Sequence, residues 1–133
     1  MSVSALNHFT IRCTPDELPA LHRFYTKYLH LTRGPRPIMS FDGYWLYSNG
    51  QPVVHLAAFL NGKEAATTGP VDHISFRAHG LEETRSFLKA EGVPFDEAPV
   101  PDWPIHQLFM RDPSGLKIEL TFDLNEERAG GNG

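Results

Sequence analysis

The chain has 133 residues, 41% of them hydrophobic and 21% charged, which suits one globular domain or two half-modules sharing a core. Its 12 basic and 16 acidic residues give a net charge of -4 with no basic run, so nothing favours nucleic acid as a partner. The single cysteine, Cys13, excludes an internal disulfide, no apolar run is long enough to cross a membrane, and the first residues lack a signal-peptide pattern; a cytoplasmic protein with no membrane partner is expected.

Leu6 to Arg12 alternates and reads as a strand. Thr14-Pro15-Asp16-Glu17 reads as a helix start, with Thr14 as N-cap, Pro15 at the first position and Glu17 completing a capping box. Leu18, Leu21, Phe24, Tyr25 and Tyr28 follow at helical spacing. Gly34-Pro35-Arg36-Pro37 interrupts a short strand. Asp42-Gly43 and Asn49-Gly50 read as two hairpin turns around the aromatic strand Tyr44 to Tyr47, with Val53 to Phe59 as the next strand. Asn61 to Pro70 is polar and Gly/Thr-rich, as a linker would be. Val71 to Arg77 opens a second unit. Gly80 to Glu91 carries Leu81, Thr84, Phe87 and Leu88 on one helical face and ends at Gly92. A strand begins at Pro94-Phe95, and Pro99 to Pro104 is a connection. Ile105 to Arg111 and Leu116 to Phe122 form a hairpin around Asp112-Pro113-Ser114-Gly115.

The two units repeat. Asn7-His8-Phe9-Thr10-Ile11-Arg12 matches Asp72-His73-Ile74-Ser75-Phe76-Arg77 position for position. The expected fold is therefore α+β: two tandem βαβββ modules forming a curved mixed sheet, a half-barrel, with helices on its outer face. Residues 1–60 make the first module, 61–70 the linker, 71–123 the second module and 124–133 a flexible tail, with 71–123 and 1–60 together one domain.

Strand side chains alternate between faces, so Ile118 and Leu120 turn to the helices while Glu119 turns away; His55 likewise opposes Leu56. Four strands thus offer His8, His55, His73 and Glu119 on the face without helices. Imidazoles and a carboxylate suit a divalent first-row metal such as Ni, Zn, Fe, Mn or Co. Any one of these histidines fits an ordinary strand position; their repeated register points to a metal site.

Arg12 and Arg77 share the face of the module histidines and suit either an anionic substrate or a structural ion pair. Trp45 and Tyr47 suit either a pocket wall or the core. The register of the Asp112–Gly115 turn decides whether His106 and Leu108, or Gln107 and Phe109, share the face of Glu119. His22 and His30, in and near the first helix, suit surface roles, and Cys13 a buried thiol.

Asn7-His8-Phe9, Phe24-Tyr25-x-x-Tyr28-Leu29, Asp72-His73-Ile74-Ser75-Phe76 and Arg111-Asp112-Pro113-Ser114-Gly115-Leu116-Lys117-Ile118-Glu119-Leu120 resemble the vicinal oxygen chelate superfamily of glyoxalases, fosfomycin-modifying enzymes, extradiol dioxygenases and bleomycin-resistance proteins. Phe41-Asp42-Gly43-x-Trp45-Leu46, Val54-His55-Leu56 and Ile105-His106-Gln107-Leu108-Phe109 are similar to its glyoxalase-like branch. By that resemblance His8, His73 and Glu119 match metal ligands, and His55 stands where lactoylglutathione lyases place a glutamate that is both ligand and base. His55 for that glutamate leaves Glu119 as the evident carboxylate base. The resemblance implies a metal-dependent enzyme of lyase or isomerase type acting on vicinal oxygens of a small substrate, with Glu119 and His55 catalytic. Arg12, Arg77, Trp45, Tyr47 and His106 would contact substrate. It also admits a ring-cleaving dioxygenase or a binder without chemistry, and it implies a homodimer.

Overall fold

The computed structural model describes residues 1–2, 4–61 and 71–131. The chain divides into two compact units, Met1–Ala65 and Ala66–Gly133. The expected linker lies, from residue 62 onward, outside the described residues. Each unit is a βαβββ module built on an open four-stranded mixed sheet, so the α+β class read from the repeat is the fold observed. Among the described residues no helix is long and apolar enough to cross a membrane.

In the first unit β1 (Phe9–Arg12), α1 (Leu18–Arg23), β2 (Thr32–Gly34), β3 (Asp42–Ser48) and β4 (Gln51–Ala58) form a sheet of order β1-β4-β3-β2. β1 runs parallel to β4, with Phe9 opposite Val54 and Thr10 opposite His55. The strand starts later than the alternation suggested, since the ladder stops where Pro52 in β4 has no N–H to give. α1 also starts late, at Leu18. Glu17 still reaches back to the Thr14 N–H (2.9 Å), half of the expected capping box, while Thr14 to Glu17 form a preceding turn. After Arg23 the helix widens into a π-turn, Phe24–Tyr28, where Thr26 Oγ1 donates to the His22 carbonyl (2.7 Å) and takes the acceptor its own amide would use. Leu18, Leu21, Phe24 and Tyr25 are buried with Ile11, Leu46, Val54 and Leu56. Each such side chain contributes about 2 kcal/mol by leaving water. Cys13 is buried too, and burial followed by the Glu17 charge raises its thiol pKa, as suits an inert packing group.

Asn49-Gly50 is the expected tight turn, both residues having positive φ (49° and 77°). Asp42-Gly43 is not a turn. It lies inside β3 opposite Ala58 and Ala57. Gly43 is there for proximity: a Cβ on it would lie 2.1 Å from the Leu56 carbonyl oxygen, far closer than any non-bonded contact allows.

In the second unit β5 (His73–Arg77), α2 (Leu81–Ala90), β6 (Asp96–Pro99), β7 (Ile105–Arg111) and β8 (Lys117–Asp123) form a sheet of order β5-β8-β7-β6. Leu81, Leu88, Leu108, Met110, Ile118, Leu120 and Phe122 are buried. α2 ends at Gly92 as expected: Gly92 N–H bonds to the Lys89 carbonyl and Val93 N–H to the Leu88 carbonyl, the paired reversals of a Schellman motif. The β7–β8 turn closes on Asp112, 3% exposed, whose Oδ1 accepts from Ser114 N, Ser114 Oγ and Leu116 N at 2.8, 2.6 and 3.0 Å.

The stretch expected as a flexible tail is instead, over Leu124–Gly131, a third helix, α3. Asp123 caps it by accepting from Asn125 N (2.8 Å) and Glu126 N (3.3 Å). α3 in turn completes α2: the Glu127 carboxylate accepts from the Gly80 and Leu81 amides at the start of that helix. Glu126 faces Arg77 (3.5 Å) and His79 (3.2 Å).

Candidate functional site

The register of β8 settles the face of Glu119. Phe109 stands opposite it, Gln107 opposite Thr121, and Ser75 of β5 opposite it on the other side. Glu119 is 7% exposed, a buried carboxylate. Thr121 Oγ1 donates to its Oε2 (3.3 Å), and Thr121 also bonds to Ser75 Oγ (2.8 Å) and Gln107 Nε2 (3.4 Å). These hydroxyl and amide partners belong to the polar face of the sheet; Gln107 was one of the two alternatives for that face, and Thr121 was not singled out from the sequence. Their common parity with Glu119, once the turn register is known, is the signal that would have found them.

His73 comes to the same face. Its Nε2 lies 3.8 Å from Glu119 Oε1, and its Nδ1–H donates to Asp72 Oδ2 (2.8 Å). That hydrogen bond pulls the Asp72 carboxyl below its ordinary pKa. A separation of 3.8 Å is too long for a hydrogen bond but lets both atoms reach one ion at about 2.1 Å each. The pair therefore fits a divalent metal.

In the first unit the rings of His8, His55 and Trp45 form a stack. His55 lies between the other two, 3.9 Å from each centroid with planes 12° apart. Trp45 is opposite His55 across β3 and β4, and His8 extends beyond the first residue of β1 on the face of Thr10. His8 Nδ1–H donates to Asn7 Oδ1 (2.7 Å). His55 Nε2–H donates to the Pro52 carbonyl (3.0 Å). Burial first, then the neighbouring His8, lowers the His55 pKa, so the ring is held neutral. Ring lone pairs lie in the ring plane, and two parallel rings aim them side by side rather than at one point. The arrangement stacks His55 on His8 and commits its Nε2 to the Pro52 carbonyl. Among the described residues no group of three or more His, Cys, Asp or Glu side chains is gathered as if around an ion.

The other expected site residues divide. Arg12 is exposed on the face of Thr10. Arg77, on the face of His73, pairs with Glu126, the structural alternative. Trp45 joins the ring stack. Tyr47 is committed elsewhere: its hydroxyl donates to the Pro35 carbonyl and its ring covers Gly34. His22 is half-buried rather than on the surface, its ring 4.2 Å from that of Tyr44, and burial followed by the Arg33 charge lowers its pKa.

His106 is not brought to the site. It pairs with Phe122, on the face opposite Glu119, and its Nε2 contacts Glu97 Oε1 (2.9 Å). Arg85 of α2 grips Glu97 from Nε (3.1 Å) and an Nη (2.7 Å) and reaches Glu82 (2.6 Å). Arg85, then His106, holds the Glu97 carboxyl down at about 2. The folded value lies below the unfolded one, so the stabilisation is complete above the ordinary range and lost as pH falls from there towards 2. The Glu97 side chain is 32% exposed, so the screened network is worth on the order of 1 kcal/mol. Glu97→Gln should accordingly lower stability in urea titrations at pH 6 and leave it nearly unchanged at pH 2; an equal loss at both would place the effect in packing rather than charge.

A model of the Glyoxalase/Bleomycin resistance protein/Dioxygenase superfamily matches residues 5–120. The chain belongs to this superfamily. No curated protein matches it. Among solved structures, a glyoxalase family protein from Bacillus anthracis aligns with a TM-score of 0.74 at 17% identity, covering 92% of this chain and 98% of its own. The lactoylglutathione lyase of Agrobacterium tumefaciens aligns at 0.68 and 18%, covering 94% and 98%. An antibiotic binding protein from Streptomyces aligns at 0.67 and 17%, covering 92% and 98%. At these identities the likeness is one of fold. Members of the superfamily typically bind divalent metals and small-molecule substrates and often act as dimers.

Proposed function

We propose that this glyoxalase-superfamily protein is a metal-dependent enzyme of lyase or isomerase type, acting on vicinal oxygens of a small substrate. The observation that carries the reading is Glu119: a carboxylate 7% exposed, with His73 Nε2 3.8 Å from its Oε1 and, among the described residues, no Lys or Arg paired with it. A buried carboxylate so placed is costly unless a cation joins it. His73 and Glu119, both in the second unit, are the proposed donors, at superfamily ligand positions. A divalent ion held by them would supply Lewis-acid polarisation of a substrate oxygen.

The remaining work falls to the chain. In an isomerisation a base moves a proton between adjacent carbons. Glu119 is the carboxylate of the set, and Thr121 restrains its Oε2 while Oε1 faces His73. His55 supports the ring of His8 from one side and is itself backed by Trp45. The assembled form in this reading is a homodimer.

A second reading, a binder without chemistry, draws on the flat ring surface of Trp45, His55 and His8 and on the fold shared with the antibiotic binding protein. Metal analysis after exposure to Ni, Zn, Mn and Fe separates the two. Stoichiometric uptake is expected, followed by turnover of a hemithioacetal without oxygen consumption. Uptake with oxygen consumed on catechols would indicate the ring-cleaving dioxygenase instead, and no uptake of any metal would favour the binder.

A further inference from the structure

We propose that Asn7 and Asp72 are positioning residues that fix which ring nitrogen His8 and His73 present. The inference rests on the metal reading above and concerns the residue that holds its ligand His73, together with the matching residue of the first unit. Both residues stand just ahead of a strand ladder, which starts at Phe9 in one unit and at His73 in the other. There the short side chain is outside the pleat and can turn towards the ring of the next residue. The same contact forms in both units: Asn7 Oδ1 to His8 Nδ1 at 2.7 Å, Asp72 Oδ2 to His73 Nδ1 at 2.8 Å.

The chemistry of the acceptors sets the tautomer. An amide oxygen and a carboxylate oxygen only accept, so in each neutral ring Nδ1 carries the hydrogen and Nε2 keeps the lone pair. Nε2 is the nitrogen of His73 that faces Glu119. His55 is an internal contrast. Its Nε2–H donates to the Pro52 carbonyl, so it has the opposite tautomer. The three histidines are thus sorted, two with Nε2 available and one with Nε2 occupied. Partners that accept the N–H at the far nitrogen of a ligating histidine orient the ring and raise its basicity, and their loss weakens metal affinity by about 10–100-fold. Asp72 carries a full charge and Asn7 a dipole, so Asp72 has the larger share.

Asp72 is 79% exposed, so its replacement leaves the core intact. The experiment reads nitrogen-15 chemical shifts of the histidine rings in the metal-free protein, above the pH of imidazole titration, and then Zn2+ affinity by calorimetry. His8 and His73 should show protonated Nδ1 and His55 protonated Nε2. Asp72→Ala should release His73 to a mixture of tautomers and weaken Zn2+ binding about 10–100-fold with the unfolding midpoint unchanged. Asn7→Ala should do the same to the tautomer of His8, and Asp72→Asn, which keeps an acceptor oxygen, should restore most of the affinity. A His73 tautomer unaltered in Asp72→Ala, or an altered one with Zn2+ affinity intact, overturns the proposal. A protein that takes up no Zn2+, yet shows these tautomers and loses that of His73 in Asp72→Ala, overturns the metal reading and supports the positioning role.

Discussion

His73→Ala should abolish stoichiometric metal uptake while the protein stays folded. The His73 side chain is 39% exposed, so truncating it opens no cavity in the core, and its hydrogen bond to Asp72 lies at the surface. What is lost is the nitrogen 3.8 Å from Glu119 Oε1. Removing a direct donor should cost more than the roughly 100-fold that follows from losing a partner behind it. Glu119→Gln keeps the volume and removes the charge, and should lose affinity to a similar degree. Both variants are to be compared with wild type for bound metal and for melting temperature. A His73→Ala protein that retains full stoichiometry contradicts the ligand assignment, whatever happens to turnover.

Gly43→Ala should be the most damaging single change in the first unit, at about 3 kcal/mol of stability. The added methyl meets the Leu56 carbonyl oxygen, which is main chain and cannot swing away as a side chain would. β3 and β4 must separate to admit it, and the next residues along the pair are Tyr44 opposite Leu56 and Trp45 opposite His55. The separation therefore reaches the ring stack, so the histidine shifts of His55 and His8 should move as well. Gly50→Ala is the comparison: its φ is 77° but nothing lies within 4 Å of the new methyl, so only the left-handed backbone strain of about 1 kcal/mol is expected. Urea unfolding of the two variants tests the contrast, and equal losses would mean that the close approach is not the cause.

How far the sequence carried each feature follows from the range over which that feature is determined. Alternation in Asn7–Arg12 and Asp72–Arg77 assigns faces because a strand's period is fixed by covalent geometry, and Ile118 and Leu120 pair with the buried Met110 and Leu108 while Glu119 pairs with Phe109 between them. The Asp112–Gly115 turn was legible as a turn, but not its register; the pairing of Phe109 with Glu119 excludes His106 from that face. Asp42-Gly43 shows the limit of a dipeptide signal, since Gly serves a turn and a close backbone approach equally well. α3 had a signal that composition concealed: Asp123 and Glu126 have capping-box spacing, ahead of a segment with little apolar surface. The tautomers of His8, His55 and His73 were out of reach, because they depend on which oxygen each ring meets.

The carboxylate that finishes α2 sits at position 127, while the amides it satisfies are at 80 and 81. During synthesis the ribosome exposes α2 and much of β5 to β7 before that partner exists, so the front end of α2 waits in water for a residue made some seconds later. The second unit can reach its final form only after translation has passed Glu127, and a chain cut just before Glu127 would leave an otherwise intact module with its second helix unfinished.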